Sequence, residues 1–538
     1  MKNHLKDKIK NNWKSGITVS FVSLPLSISL AVAAGATPLM GVITAIWAGL
    51  AASIWGGSKY NIVGPTGALS GLLIVYSISY GVSILPYLAI FSGIGILAIF
   101  LLRWEKYIIF IPSSVVHGFT LGVAFIIAFG QLNSALGIKN LTAHEKFISN
   151  LKETLLHINQ FDLWTLILFI LGIIFLFGWK KYFTNFPGAI ILAPVGIFIG
   201  YLSNSGMLPI EFQTLFSKFG DISGNLIHFP ELRFNFGKDV FVGAFAISII
   251  AILESLLSAK IADGMTKTKH SSRKEVFGLG IANIASGIFG GIPATAALAR
   301  TTLNIKSGAK DRMSAKISSI GVVIISLLLL SFFKYLPMAI VAAILVFVAS
   351  QMIEKEHLIR FYRYEKSMFF LLLLVALVTV VEDPIVGVLA GTAISLLILI
   401  NKMSFAETEV TINKNNQVIK RVNASQLLKI KDHGDVLVYR FAGQLSYVNC
   451  QSHINNINCI NGEAKNVILS LRNCFFVDID GMDAFKEIIE TLKLKNKNVY
   501  ITAVNGIVED LFKREKWFEE MRKKEMIYAS TQEALNKC

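Results

Sequence analysis

The amino-acid sequence predicts a polytopic α-helical membrane protein that ends in a small α/β domain. Of its 538 residues, 54% are hydrophobic and only 16% are charged, and the mean hydropathy is +0.59. A soluble globular chain is typically about 25% charged, so this composition supplies too little polar surface for a soluble enzyme of the same length. The formal net charge of +16 suggests at first a nucleic-acid partner, but most of it lies between apolar stretches, where basic residues report membrane topology.

Apolar stretches follow one another through residues 15–402, after a basic, polar lead at residues 1–14. About 18 apolar residues suffice to cross a bilayer as a helix. The sequence predicts fourteen spans, in two halves of seven, at 15–35, 38–56, 62–80, 84–102, 108–131, 161–179, 187–204, 239–259, 275–291, 294–305, 315–333, 335–352, 367–381 and 384–401.

The basic residues set the predicted orientation, because Lys and Arg accumulate in cytoplasmic loops. With the N-terminus inside, 24 of the Lys and Arg residues in 1–404 fall on the cytoplasmic side and seven fall outside. An even number of spans then returns the chain to the cytoplasm. We therefore expect a multi-pass protein of the cell (inner or plasma) membrane with both termini in the cytoplasm, and no nucleic-acid partner.

Residues 405–538 have ordinary charge density and no spanning run. The β-rich segments 436–441, 467–471 and 499–504 alternate with helical patterns, which is typical of a small α/β domain. All four cysteines lie in this region and none has CxxC spacing, as expected for a reduced, cytosolic domain.

Two of the predicted spans are interrupted in a corresponding way. The third contains Gly64, Pro65 and Thr66, and the tenth follows directly on Pro293 and begins with small residues and Thr295. Matched Gly/Pro breaks mark the substrate site in transporters built from inverted repeats. If each helix starts just after its Pro, two helix N-termini offer backbone N–H groups and partial positive charge to an anion. Thr66 and Thr295 add hydroxyl donors, and their small neighbours let an anion approach the backbone.

Two ionisable side chains at membrane depth need a role. Arg300 either raises the potential at the anion or extends to the cytosolic headgroups. Glu254 is the only charge in 244–257 and shares a helix face with Ser258. A carboxylate beside a hydroxyl suits Na⁺, protonation is equally allowed, and a structural pairing of Glu254, for instance with Arg300, is the third interpretation. His117, near the start of a span, is expected to be a packing or interfacial residue.

These residues resemble the signature of the SulP/SLC26 anion transporter family. The resemblance lies in 62–68, in 262–266 and in the run from Gly278 to Ala309, while residues 405–538 resemble that family's STAS domain (sulfate transporter and anti-sigma-factor antagonist). It implies seven plus seven inverted spans divided into core and gate domains, elevator-type alternating access and a homodimer. It also implies an anion between the third and tenth helices, bound here by Thr66, Gly67, Ala68, Ala294, Thr295, Ala296 and Ala297. Glu254 and Ser258 match the cation ligands of a sodium-coupled branch, and Glu also occurs there in proton-coupled branches.

The predicted function is secondary active transport of an inorganic oxyanion by symport with H⁺ or Na⁺. Sulfate is the first candidate, bicarbonate with Na⁺ the second and a C4-dicarboxylate the third. An uncoupled anion channel or exchanger, and a signalling scaffold whose STAS domain binds a cytosolic partner, are the other classes. No HExxH, GxSxG or Walker A motif occurs, so we expect neither an enzyme nor a cofactor beyond the coupling ion.

Overall fold

A computed structural model describes residues 2–538 except 140, 143, 145, 184–186, 223, 232–236, 383, 405–408, 415–416, 425–433, 459 and 461–463. The chain divides into two compact units, Met1–Ser395 and Leu396–Cys538, and the division falls inside a helix. The predicted start of the C-terminal domain, residue 405, lies outside the described residues.

The first unit contains the predicted membrane spans, and it is helical with two very short strands. Its elements are α1 (Lys2–Ala33), α2 (Pro38–Trp55), β1 (Val63–Gly64), α3 (Gly67–Tyr80), α4 (Leu85–Leu101), α5 (Ser113–Gly130), α6 (Leu132–Leu136), α7 (Phe147–Leu156), α8 (Leu163–Tyr182), α9 (Ala189–Asn204), α10 (Leu215–Phe219), α11 (Lys238–Thr266), α12 (Ser272–Ile288), β2 (Thr295–Ala296), α13 (Leu298–Lys306), α14 (Met313–Phe333), α15 (Met338–Met352), α16 (Lys355–Tyr364), α17 (Lys366–Val381) and α18 (Pro384–Ser404), with 3₁₀ turns at Val82–Ile84, Trp104–Phe110 and Ile158–Gln160.

Each of the fourteen predicted spans overlaps one helix of this unit. By length and composition, nine helices of the described chain are long and apolar enough to cross a membrane, and Gly67–Tyr80, Ala189–Asn204 and Lys366–Val381 are shorter apolar helices. The third predicted span is shortened because residues 62–66 are not helical. The count of fourteen spans therefore stays a prediction.

The helices pack as two sets. The first set, α1, α2, α4, α11, α12 and α14, is mutually packed, the second set contains α5, α8, α9, α15 and α17, and contacts between the sets run mainly through α1 and α3. Small residues let α12 lie against α2 and α4: Gly278 faces the backbone of Gly56, and Gly280 faces the carbonyl oxygen of Gly93. This close packing fixes the end of α12, from which the chain enters the second break.

The basic lead continues into the first predicted span as the single helix α1. Asn12 is only 1% exposed. Its side-chain oxygen accepts hydrogen bonds from the backbone N–H groups of Lys310 (2.7 Å) and Asp311 (3.1 Å), and its amide donates to the Asp311 carboxylate (3.1 Å). One turn further on, the hydroxyls of Ser15 and Ser314 lie 2.9 Å apart. The lead is thereby attached to the connection between α13 and α14.

The second unit is an α/β domain. Its elements after α18 are β3 (Glu409–Lys414), β4 (Gln417–Asn423), β5 (Val436–Leu445), α19 (Cys450–Asn458), β6 (Asn466–Val477), α20 (Ile479–Leu494), β7 (Asn498–Thr502), α21 (Gly506–Phe512), α22 (Lys516–Lys523), β8 (Ile527–Tyr528) and α23 (Thr531–Lys537). The strand order is β4-β3-β5-β6-β7-β8, with β3 antiparallel to its neighbours and β5 to β8 parallel.

The three predicted strands correspond to β5, β6 and β7, whereas β3, β4 and β8 are not predicted from the sequence. The edge strand β4 exposes most of its side chains and β8 has only two residues, so neither shows the alternation that marks a strand. Tyr439, Phe441 and Phe485 are fully buried at the centre of the domain, where Phe441 lies edge-on to the other two rings.

Replacing Asn12 by Ala is expected to lower the melting temperature of the purified protein in detergent. The change leaves the N–H groups of Lys310 and Asp311 without their acceptor, which typically destabilises by about 1–3 kcal/mol. Asn11→Ala is the matched control, because Asn11 is exposed on the same helix. Equal melting temperatures for the two variants would show that the Asn12 contacts contribute no stability.

Candidate functional site

The two broken segments meet as a two-stranded sheet inside the helical unit. β1 and β2 are antiparallel, with Val63 opposite Ala296 and Gly64 opposite Thr295. The Ala297 N–H extends the pairing by donating to the Ile62 carbonyl (3.0 Å). Backbone polar groups at membrane depth must be satisfied within the protein, so this pairing allows both segments to be extended. It also holds the starts of α3 and α13 next to each other.

The two half-helices start at different distances from their prolines. α3 starts at Gly67, two residues after Pro65, and Thr66 between them is its N-cap residue. The expectation that the second helix starts just after Pro293 is wrong, because α13 starts at Leu298. The Asn283 side chain holds the intervening backbone extended, accepting from the Ala294 N–H (2.9 Å) and donating to the Ala294 carbonyl (2.9 Å).

The backbone amides of three predicted anion-binding residues are already used inside the protein. Ala294 donates to Asn283, Ala296 donates to the Ser255 hydroxyl (3.0 Å) and Ala297 donates to Ile62. These amides are therefore not the free helix donors that the sequence pattern suggests. The first N–H groups of a helix lack intrahelical partners, which moves the open donors of the second break to the first turn of α13, from Leu298.

In the first break the predicted backbone N–H donors do lie at the start of a helix. Gly67 and Ala68 are the first residues of α3, and the Thr66 side chain makes no capping hydrogen bond to them. Gly67 has little free space, since a methyl group there would meet the side chains of Ile127 and Met352. A side chain at residue 67 would therefore require Ile127 or Met352 to move. The role of all these residues as ligands stays a prediction.

Glu254 of α11 lies between the two breaks. Its Oε2 accepts hydrogen bonds from the hydroxyls of Thr66 (3.4 Å) and Thr295 (3.3 Å). The structure thus brings together a carboxylate and one predicted anion-binding hydroxyl from each half-helix segment. Within the described residues Glu254 forms no ion pair, so the interpretation as a partner of Arg300 is wrong.

Ser258 is directed elsewhere, although it follows Glu254 by one helical turn. Its hydroxyl lies 3.1 Å from both Asn61 Oδ1 and Thr301 Oγ1. The Thr301 hydroxyl in turn accepts from the Ile62 N–H (3.2 Å). Ser258 therefore supports the start of β1, and its role beside Glu254 as a ligand of the coupling ion stays a prediction.

Arg300 is buried, with 1% of its surface exposed. Its guanidinium donates to the carbonyl of Pro65 and to the Ser27 hydroxyl of α1 (3.4 Å), while its Nε has no partner among the described residues. Extension to the lipid headgroups is therefore wrong. A buried guanidinium without a carboxylate is unfavourable unless another negative charge is supplied, and a bound anion would supply it.

Glu275 of α12 is a site-supporting residue that sequence reasoning misses. It is 4% exposed. One carboxylate oxygen accepts from the N–H groups of Gly57 and Ser58 (both 2.7 Å), and the other accepts from the Asn61 amide (2.6 Å). Glu275 follows Arg273 and Lys274 at the edge of a predicted span, where exposed acidic residues are common. The sequence around Glu275 therefore does not indicate that its side chain is buried. It fixes the turn that leads into β1.

A cavity of about 460 Å³ reaches the first half-helix. Ser70 and Gly71 of α3 line it together with Ile126 and Ile127 of α5. Ser70 is one helical turn from Thr66, so the cavity ends one turn from the start of α3. Polar and charged side chains also line it, including Lys139, Lys218 and Glu382.

Comparisons with known proteins agree on one family. The sulfate permease family matches residues 9–375 and the STAS domain matches residues 428–534. The chain is 29% identical over 519 residues to "Putative sulfate transporter YvdB" of Bacillus subtilis (strain 168), covering 96% of this chain and 95% of that relative. It is 25% identical over 524 residues to the bicarbonate transporter BicA of Picosynechococcus sp., covering 93% and 89%. The solved structure of the murine Slc26a9 anion transporter in the inward-facing state matches with a TM-score of 0.83 at 16% identity, covering 98% of this chain and 91% of that chain.

This chain therefore belongs to the sulfate permease family, and it carries a STAS domain. It is a multi-pass membrane protein of a family of anion transporters, not an enzyme. The family and the fold class predicted from the sequence are confirmed, while the span count and the inverted repeat stay predictions.

Glu275→Gln is expected to lower both the melting temperature and the rate of anion uptake in proteoliposomes. The substituted amide loses an acceptor oxygen and turns an NH₂ group toward a donor, which leaves buried N–H groups unpaired at a loss of about 1–3 kcal/mol. Lys274→Gln, at the exposed neighbouring position, controls for the substitution itself. Normal uptake and stability in Glu275→Gln would remove Glu275 from the support of the site.

Proposed function

We propose that this chain imports an inorganic oxyanion by symport with H⁺, with sulfate as the substrate. The observation that carries the proposal is the position of Glu254, whose carboxylate contacts one hydroxyl from each broken segment. A negative charge at this point repels an anion bound at the starts of α3 and α13. Protonation of Glu254 removes that repulsion, so proton binding and anion binding favour each other.

Sulfate is supported by the relative described as a sulfate transporter and by the buried cation of Arg300. Helix N-termini and a guanidinium together suit a compact oxyanion with several acceptor oxygens. Bicarbonate is the second candidate, because BicA is also a relative and because Glu254, Thr66 and Thr295 place three oxygen atoms together, as a Na⁺ ion requires. This cation position differs from the predicted one, which pairs Glu254 with Ser258.

Elevator-type alternating access is supported by the two helix sets of the membrane unit. The first set contains Glu254 on α11, and β1, β2 and the Arg300 helix α13 pack against its members α1, α2 and α11, while the second set packs on itself through α5, α15 and α17. Movement of the first set as one body against the second would carry the whole site across the membrane.

The distribution of basic residues favours a cell membrane location with both termini in the cytoplasm. We extend the proposal to a homodimer whose STAS domains bind a cytosolic partner.

The deciding experiment measures radiolabelled sulfate, bicarbonate and succinate uptake into proteoliposomes under imposed pH and Na⁺ gradients. We expect sulfate accumulation driven by an inward H⁺ gradient and independent of Na⁺. Bicarbonate uptake driven by Na⁺ would select the second candidate, and succinate uptake would select a dicarboxylate carrier. Flux that never exceeds equilibrium would indicate a channel or exchanger, and no flux of any anion would favour a signalling role.

Glu254→Gln is expected to abolish the accumulation that a pH gradient drives, while sulfate exchange between equal pools continues. The amide keeps the shape of the side chain but cannot bind or release a proton at this position. Glu211→Gln, an exposed carboxylate of the same unit, is the control and should accumulate sulfate normally. Undiminished accumulation in Glu254→Gln would exclude Glu254 as the coupling residue.

Arg300→Ala is expected to raise the sulfate concentration for half-maximal uptake by about tenfold or more, the equivalent of one charge-assisted hydrogen bond. Expression is expected to change less than affinity. Lys306→Ala, exposed at the other end of α13, is the matched control. If folded Arg300→Ala shows an unchanged sulfate concentration for half-maximal uptake, Arg300 does not bind the anion and only supports the Pro65 carbonyl.

A further inference from the structure

Three potential metal ligands converge away from the anion site, where α5 meets the start of α16. His117 lies in α5, Glu354 is the N-cap residue of α16, and His357 follows one turn later. His117 Nδ1 lies 3.3 Å from Glu354 Oε2, and His357 Nε2 lies 3.5 Å from the same oxygen. In the part of the chain that the structure describes, this is the one group of three such side chains whose ligand atoms all lie within 4.8 Å of one another.

The spacing of these atoms suits one tetrahedral ion. Ligand atoms bound about 2.0–2.1 Å from a tetrahedral Zn²⁺ lie about 3.3 Å apart. The two His–Glu distances are already near this value. Closing the remaining distance, between the two imidazole nitrogens, requires only side-chain rotation, because His357 and Glu354 are partly exposed, with 47% and 25% of their side chains accessible.

The chemistry of the ligands selects a class of cation. Two imidazoles and a carboxylate suit Zn²⁺ and related divalent transition metals, whereas Mg²⁺ and Ca²⁺ prefer all-oxygen sites. Three protein ligands leave the fourth tetrahedral position to water. The two imidazole rings are stacked with their centroids 4.4 Å apart, and the Phe361 ring lies 6.1 Å from that of His117. The His117 side chain is 10% exposed and is stacked on the more exposed ring of His357.

We propose that His117, Glu354 and His357 form a binding site for a divalent transition-metal cation of the Zn²⁺ class. The bound ion joins α5 to α16. The neighbouring residues Val115, Val116 and Phe119 line the small cavity that also contains Glu254, so the ion fixes a helix that borders the proposed coupling residue. The expected packing role of His117 is thereby extended to that of a ligand. The site itself does not depend on the proposed transport function.

The test uses the full-length protein in detergent, with any affinity tag removed, dialysed against chelator and then against ZnCl₂ in chloride buffer. Mass spectrometry of bound metal is expected to show one Zn²⁺ more per wild-type chain than per His117→Ala/His357→Ala chain. Co²⁺ is expected to give the intense visible absorption of tetrahedral coordination in the wild type alone. Titration should show that His357→Ala alone weakens binding by at least about tenfold, the loss that even an outer-shell change produces.

His157→Ala is the matched control, since His144 and His157 also flank a carboxylate, that of Glu153, at 3.7 and 3.6 Å. It should retain the wild-type stoichiometry. The described free thiols, Cys450, Cys474 and Cys538, are present in every variant, so the difference in metal content isolates the imidazole site. Melting curves recorded without metal check that each variant is folded, and the half-exposed His357 allows the single substitution to be used if the double variant unfolds. Equal Zn²⁺ content in wild type and folded His357→Ala, or an octahedral Co²⁺ spectrum, would overturn the proposal.

Discussion

Extended backbone inside a membrane-type helical unit is possible only where another segment satisfies its polar groups, because lipid offers no hydrogen bonds. The pairing of β1 with β2 meets this requirement with two residues from each segment and one further bond from Ala297 to Ile62. The remaining features of the site follow from it. The register places Thr66 and Thr295 on one carboxylate, and it places Arg300 of one segment on Pro65 of the other.

Two carboxylates stand close to these strands, and their surroundings differ in kind. Glu275 accepts short bonds from two backbone N–H groups and one side-chain amide, all of them fixed donors. Glu254 accepts two longer bonds from hydroxyls, which rotate and can donate or accept. Fixed donors hold a carboxylate in one position, whereas hydroxyl partners can reorient around it. Glu275 is thus suited to structural support, and the partners of Glu254 can adjust to a change at its carboxylate.

Periodicity and composition predict the helices, the α/β domain and the two breaks, because apolar length and paired Gly/Pro signals are local properties of the sequence. The position at which α13 starts depends on distant residues. Asn283 of α12 and Ser255 of α11 bind the backbone of residues 294–297 and keep it extended, so the helix does not start at Pro293. Ser258 shows the same limit. It shares a helix face with Glu254, yet its hydroxyl bonds to Asn61 and Thr301 across the interior. Strand β4 escapes prediction because its exposed side chains have no buried alternation.

The two membrane-depth charges are coupled through adjacent residues of the first break instead of through an ion pair. The Arg300 guanidinium binds the Pro65 carbonyl, and the Glu254 carboxylate binds the hydroxyl of Thr66, the next residue. Any rotation of the peptide group between residues 65 and 66 therefore alters the contacts of both side chains. Under the proposed function, an anion that binds the Arg300 guanidinium competes with the Pro65 carbonyl, and a proton on Glu254 weakens the acceptor of the Thr66 hydroxyl. The peptide group between residues 65 and 66 would then connect the anion to the coupling proton.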